Sequence, residues 1–255
     1  MEKNFTFISN WKMYLNALEE QNFASANYDN FIKLSENTNN LFLLSPSFLS
    51  VNTINQIFKS TKIKICAQNC SSHKNNSFTG QISAQSLNSI GIEHCIIGHS
   101  EARKDLRETN IDIENKFLNL IDNNINPILC IGEELEIYQK NKAIDFISEQ
   151  LQGIVNILNK NNLKNLSHLQ IYIAYEPIWS IGTGNIANLD HLENIFMFLH
   201  NKFSNLNNKI NFSLLYGGSV NSQNANLFKK INLINGFLIG KASLDFQELK
   251  KIVES

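Results

Sequence analysis

The sequence is short of net charge, of proline and of paired cysteine, and each shortage excludes something. Lysine and arginine total 22 against 23 acidic residues over 255 positions. No basic cluster interleaves with aromatic residues, which removes the electrostatic footprint of a nucleic-acid binder and leaves a small molecule as the default partner. The 3 prolines and 11 glycines form no Pro-, Gly- or Ser-rich linker that would split the chain. Cys66, Cys70, Cys95 and Cys130 contain no C-x-x-C pair, and three of them sit inside apolar runs, so they read as reduced core residues rather than disulfides or metal ligands. No stretch approaches the roughly 18 apolar residues of a membrane span. The opening "MEKNFTFISNWKM" is broken by polar residues too early for a signal-peptide core. A soluble, cytoplasmic protein is expected. Asparagine is used heavily along the whole chain and reads as a compositional bias without functional weight.

What is present is repetition. Short runs rich in β-branched or aromatic residues occur at 5–11, 41–46, 62–68, 94–99, 127–133, 170–176, 212–218 and 234–240. They are almost continuously apolar rather than alternating, which is how strands of a parallel sheet covered on both faces look. Helical spacing lies between them, as in Ile144, Ile147, Leu151, Ile154 and Leu158, or Leu192, Ile195, Phe196 and Leu199. Strand and helix alternate at about 30 residues per unit, the pattern of an eight-stranded (β/α) barrel of ~250 residues in one domain over 1–255. A doubly wound open sheet would want a Gly-rich turn after its first strand, where this chain has "SNWKM".

In such a barrel the loops after the strands surround one mouth, so strand ends are where chemistry is sought. The first run ends in Asn10 and Lys12, the fourth in His99, Ser100 and Glu101, the sixth in Glu176, the seventh in "YGGSV" (216–220) and the eighth in "GKASL" (240–244). Taken singly, a lysine is a solvated charge, a glutamate a cap or ion-pair member, a histidine a structural group. Together they bring a base, an imidazole, a cation and two Gly-rich turns to one end of the barrel. Backbone N–H groups at a helix start carry partial positive charge, and glycine lets an anion come close, so the last two turns read as a phosphate site.

The strings "NWKM" (10–13), "CAQN" (66–69), "SFTG" (77–80), "IIGHSEAR" (96–103), "PILCIGE" (127–133), "AYEPIWSIGTG" (174–184), "YGGSV" and "GFLIGKASL" (236–244) resemble the triosephosphate isomerase family, in order and over essentially the whole chain. The resemblance implies Glu176 as general base, His99 as a neutral imidazole that stabilises enediolate oxygens with the helix start at Ser100 and Glu101 opposing its protonation, and Lys12 as fixed charge beside the neutral donor Asn10. It implies phosphate held by the N–H groups of Gly182, Ser219, Gly240 and Lys241, together with Asn10 and Lys12. Pro177, Ile178, Trp179, Ser180, Ile181, Gly182, Thr183 and Gly184 would form a lid, with Glu133 holding Trp179 when it is shut. Glu101, Cys130, Tyr216, Gly217 and Gly218 would support the site. No metal or organic cofactor is implied.

Three departures from the family pattern stand out. The eighth turn reads Gly240-Lys241 where the family has Gly-Gly, and the lid is followed by Asn185 where the family has lysine. Ala102 and Gln81 stand where an arginine and a glutamate pair across the family's dimer interface. Losing one partner of such a pair would strand a charge at a cost of about 3–5 kcal/mol, and losing both avoids it. A homodimer is therefore still expected, with Thr79 of the third loop reaching toward Asn10 of the other subunit. Two other readings compete: another phosphate-binding barrel isomerase, which would lack "GHSE" and "AYEP", and a non-catalytic barrel used for binding, which would not keep Lys12, His99 and Glu176 together.

Overall fold

The computed structural model describes residues 3–160, 166–182, 186–206 and 209–255. Its strands are β1 (Thr6–Asn10), β2 (Leu41–Ser45), β3 (Lys64–Ala67), β4 (His94–Ile97), β5 (Asn126–Ile131), β6 (Gln170–Tyr175), β7 (Asn211–Tyr216) and β8 (Gly236–Ile239). All are parallel, each pairs with the next, and β8 pairs with β1 to close the barrel. Each of the eight apolar runs contains a strand or covers nearly all of one.

The wall has two buried faces, which is why the runs do not alternate. Ile8, Leu43, Cys66, Ile96, Ile128, Tyr172, Ala174, Leu215 and Leu238 form one cluster, the barrel interior. Their neighbours, such as Phe7, Phe42, Ile65, Ile97, Leu129, Ile173, Leu214 and Phe237, join a second cluster between wall and helices. With both faces covered, polar residues collect at the strand ends: Asn10 and Ser45 at the mouth, and Lys64, His94, Asn126, Gln170 and Asn211 at the opposite end, where Lys64 and Asn211 are exposed. All four cysteines are free and buried, and burial pushes the Cys66 thiol up to about 12.

The helices cover the wall. After β1 come α1 (Ala17–Ala26) and α2 (Tyr28–Glu36), after β2 α3 (Val51–Phe58), and after β3 α4 (Ala84–Ser89). Strand β4 is followed by α5 (Ser100–Asp105) and α6 (Asn110–Asp122), and β5 by α7 (Leu135–Gln139) and α8 (Ala143–Leu158). Then α9 (Leu189–Ser204), α10 (Ala225–Lys229) and α11 (Phe246–Glu254) follow β6, β7 and β8. Capping boxes start α1 at Asn16 with Glu19 and α6 at Thr109 with Asp112; each satisfies N–H groups that have no partner inside the helix. Ile147, Leu151, Ile154 and Leu158 of α8 face the wall as their spacing predicts, but Ile144 is 41% exposed. It lies at the edge of the buried stripe, whose member in the first turn is Ala143. Among the described residues, no helix is long and apolar enough to cross a membrane.

Candidate active site

Strand parity delivers the first group. Tyr172 and Ala174 of β6 point into the barrel, so the next inward position, just past the strand end, is Glu176 at the mouth. Its N–H donates to the Ile131 carbonyl at 2.7 Å, and a Cβ on Gly217 would stand 2.9 Å from its Cγ. Only glycine leaves that space for the carboxylate arm.

The second group depends on a turn. After β4 the chain bends at Gly98, whose φ of 69° favours glycine, and His99 becomes the N-cap of α5. Its own ring does the capping, with Nδ1 accepting the Glu101 N–H at 3.2 Å. A nitrogen that accepts has no hydrogen, so the neutral ring carries its hydrogen on Nε2. That nitrogen lies 3.1 Å from Glu176 Oε1, and the Ser100 N–H donates to Oε2 at 3.1 Å. Both carboxylate oxygens are thus held by the start of one helix.

The third group is set by backbone. Lys12 has a φ of 51°, a left-handed conformation that costs a non-glycine residue roughly 1–2 kcal/mol. Two side chains hold it there: Asn10 Oδ1 accepts the Lys12 N–H at 3.0 Å, and Gln68 Nε2 donates to the Lys12 carbonyl at 2.9 Å. The ammonium reaches Glu101 Oε1 at 2.7 Å.

Charge follows geometry. Burial pushes the Glu176 carboxyl up, but His99, the Ser100 N–H and Lys12 together pull it below the ordinary carboxylate range. At His99, burial favours the neutral ring, yet the adjacent Glu176 carboxylate outweighs it and raises the pKa. The neutral ring implied by the sequence resemblance therefore meets a counterweight while Glu176 rests on Nε2. The Glu101 N–H on Nδ1 favours the neutral ring, against the pull of the Glu176 and Glu101 carboxylates. Burial also raises the Cys130 thiol well above its usual value.

A cavity of about 220 Å³ opens at this end of the barrel, walled by Asn10, Lys12, His99, Glu176, Gly182, Gly217, Gly218, Ser219, Gly240 and Lys241. Of the other named residues, Ile181 joins the wall, whereas Glu101, Cys130, Glu133, Tyr216 and Thr79 do not. The Lys241 side chain is exposed at the start of a short 3-10 turn, Lys241–Leu244, with no ion pair to it among the described residues.

Above the cavity, Pro177 is buried and Ile178–Ser180 form one 3-10 turn. Trp179 Nε1 donates to Glu133 Oε1 at 3.0 Å. The Gly182 N–H, expected on phosphate, donates here to Ser219 Oγ at 3.1 Å, and Ser219 Oγ donates to the Ser180 carbonyl at 2.6 Å. One hydroxyl thereby ties the lid to the seventh turn, and phosphate would have to draw that N–H away from it. The Tyr216 hydroxyl, under Gly218, faces Ser180 and the Ala187 N–H; burial raises its pKa to about 12 against their pull. Thr183, Gly184 and Asn185 lie outside the described residues.

Sequence reasoning gave Ser100 a place only in the helix start that opposes protonation of His99, and gave no role to Gln68 or Tyr14. Ser100 holds the carboxylate through its backbone, which no side-chain pattern reveals. Gln68 supports Lys12 and also donates to the Ser45 carbonyl at 3.0 Å; its only signal was its place in "CAQN". Tyr14 joins the cavity wall and gave no signal. Thr79 and Gln81 lie exposed on the third loop, and Ala102 is half-buried in α5. Among the described residues there is no group of three or more His, Cys, Asp or Glu side chains able to hold a metal ion.

The family model described as triosephosphate isomerase matches residues 5–255. A triosephosphate isomerase of Aquifex aeolicus is 36% identical over 250 residues, 97% of both chains. One from Mycoplasmopsis pulmonis is 35% identical over 256 residues, 98% of this chain and 97% of the relative. One from Thermodesulfovibrio yellowstonii is 34% identical over 257 residues, all of both.

Proposed function

The chain belongs to the triosephosphate isomerase family, and from that membership we propose how its residues divide the work of interconverting dihydroxyacetone phosphate and D-glyceraldehyde 3-phosphate. The enzyme is an intramolecular aldose-ketose isomerase of glycolysis and gluconeogenesis. Glu176 takes a proton from the carbon beside the substrate carbonyl and returns it to the neighbouring carbon, which a carboxylate can do in both directions once the enediolate oxygens are stabilised. His99 donates to those oxygens from Nε2, the nitrogen that carries its hydrogen. Lys12 sets a positive charge between substrate oxygen and phosphate, with Asn10 as the neutral donor beside it. Phosphate is taken by the N–H groups of Ser219, Gly240 and Lys241 and, after release from Ser219 Oγ, by that of Gly182. The lid shuts water out and keeps the enediolate from losing phosphate, with Glu133 fixing Trp179.

The observation that carries this reading is that Asn10, Lys12, His99 and Glu176 line one cavity of about 220 Å³ while coming from three strand ends. A coupled assay with dihydroxyacetone phosphate is expected to show turnover inhibited by 2-phosphoglycolate. Turnover without inhibition by the phosphate analogue would overturn the assignment of the phosphate site.

We assign the chain to the cytoplasm as one domain over 1–255, acting without nucleic acid or membrane. It works as a homodimer in which Thr79 of the third loop reaches Asn10 of the second copy. Supporting this, Met13 is 92% exposed beside Lys12, and Phe78 is exposed next to Thr79, an arrangement that leaves apolar surface at both ends of the expected contact. Analytical ultracentrifugation at micromolar concentration is expected to give a dimer despite Ala102 and Gln81, and a monomer there would refute the third-loop contact.

A further inference from the structure

Beneath the lid, outside the cavity wall, lies a cluster of which the motifs account for Glu133 and Trp179 but not for Tyr138 and His191. The Glu133 carboxylate is fully buried. Its Oε1 accepts from Trp179 Nε1 at 3.0 Å and from the Tyr175 hydroxyl at 2.9 Å. A phenol has one hydrogen, and here it goes to Glu133. His191 Nε2, 2.9 Å from the same hydroxyl oxygen, must then be the donor to it. The ring nitrogen also stands 3.6 Å from Glu133 Oε1.

A second residue closes the cluster from α7. Tyr138 stacks on the Trp179 indole with ring centres 4.4 Å apart at 26°, and it meets the His191 ring edge-on at 4.8 Å and 78°. One aromatic ring thus touches both the lid tryptophan and the histidine that orients the acceptor of that tryptophan. Neither Tyr138 nor His191 reaches the cavity.

We propose that His191 and Tyr138 are positioning residues that set how long the lid stays shut over the reaction intermediate. The Nε2–H of His191 fixes the Tyr175 hydroxyl so that its hydrogen points at Glu133. This pins Oε1 where the Trp179 N–H can reach it. Tyr138 holds the indole by its face while the N–H engages. Without His191 the phenol turns freely, the buried carboxylate loses its orientation, and the docked position of Trp179 becomes one of several. Hydrogen bonds to a charged group are the stronger kind, so loss of one partner is felt by the others on the same oxygen.

The inference rests on the lid reading proposed above, and product partition tests the two separately. When the lid opens early, the enediolate collapses: its electron pair reforms the carbonyl, the bond from carbon to the phosphate oxygen breaks, and phosphate leaves. The enol left behind takes a proton from water on its terminal carbon and gives its hydroxyl proton back to water, becoming methylglyoxal. The ratio of free phosphate to isomerised product therefore reads lid residence, and a general loss of packing would lower both products without changing it.

His191→Ala is expected to raise that ratio about tenfold, the equivalent of one weakened charge-assisted hydrogen bond. His191→Gln, whose side-chain amide restores an N–H donor, is expected to return it to within about twofold of the parent. Tyr138→Leu, at a half-buried position where folding is safe, is expected to raise it as well. Trp179→Phe serves as the lid control and must raise it. If Trp179→Phe leaks phosphate while His191→Ala and Tyr138→Leu do not, the inference is wrong and the lid reading stands. If Trp179→Phe does not leak, both are wrong. Failure of His191→Gln to rescue would overturn the donor role of His191.

Discussion

Glu176→Asp is expected to lower kcat about 10²- to 10³-fold while KM stays within about threefold of the parent. The carboxylate is buried against Gly217, with one oxygen on His99 Nε2 and the other on the Ser100 N–H, both at 3.1 Å. Removing one methylene withdraws it from the helix start and from the substrate carbon together, and a misplacement of about 1 Å in a reacting group costs on the order of a hundredfold. In the proposed division of work, substrate binding rests on other groups: Lys12, the seventh and eighth turns, and the lid. The loss should therefore fall on the chemical step. A matched fall in affinity, seen as weaker inhibition by 2-phosphoglycolate, would show that Glu176 binds the ground state instead, and an unchanged kcat would remove it as the base.

The strands were legible because both faces of the wall are covered. Phe7 faces the helices and Ile8 the interior, so neighbouring positions are apolar for different reasons and the run is continuous. The same parity made the mouth legible, since the first polar residue after an inward-facing pair, Glu176 after Tyr172 and Ala174, has only the opening to occupy. Short helices were harder. α4, α5, α7 and α10 span five or six residues each, too few turns for a period to show. What could not be read at all are contacts made by backbone or across large sequence separation. The ring of His99 capping its own helix is local but shows in no side-chain pattern, and the Ser100 N–H on Glu176 and the meeting of Tyr138, His191 and Trp179 exist only once the ends of β4 and β6, α7 and α9 have been brought to one rim.

Lys12→Met is expected to lower kcat/KM by about 10²- to 10³-fold, with KM rising as well as kcat falling. The lysine is built to present charge from a fixed root. Its left-handed backbone is tied at both the N–H and the carbonyl, by Asn10 and Gln68, so little freedom remains except in the stem. A Cβ placed on Gly240 would lie 3.5 Å from Lys12 Cε, which puts the stem beside the eighth phosphate turn. Among the described residues the only carboxylate paired with the ammonium, Glu101, has a side chain 53% exposed. An ion pair so open to water contributes little to stability, so Lys12→Met should fold and melt close to the parent. On the proposed reading the charge is instead available to a phosphate dianion, which would be desolvated beneath the lid, where the same attraction is much stronger. Glu101→Gln separates the two uses of Lys12. It removes the resting partner but keeps the cation, and its effect on kcat/KM is expected to stay within about tenfold. Near-equal losses in the two variants would mean that the Lys12–Glu101 pair, rather than the ammonium on phosphate, supports catalysis.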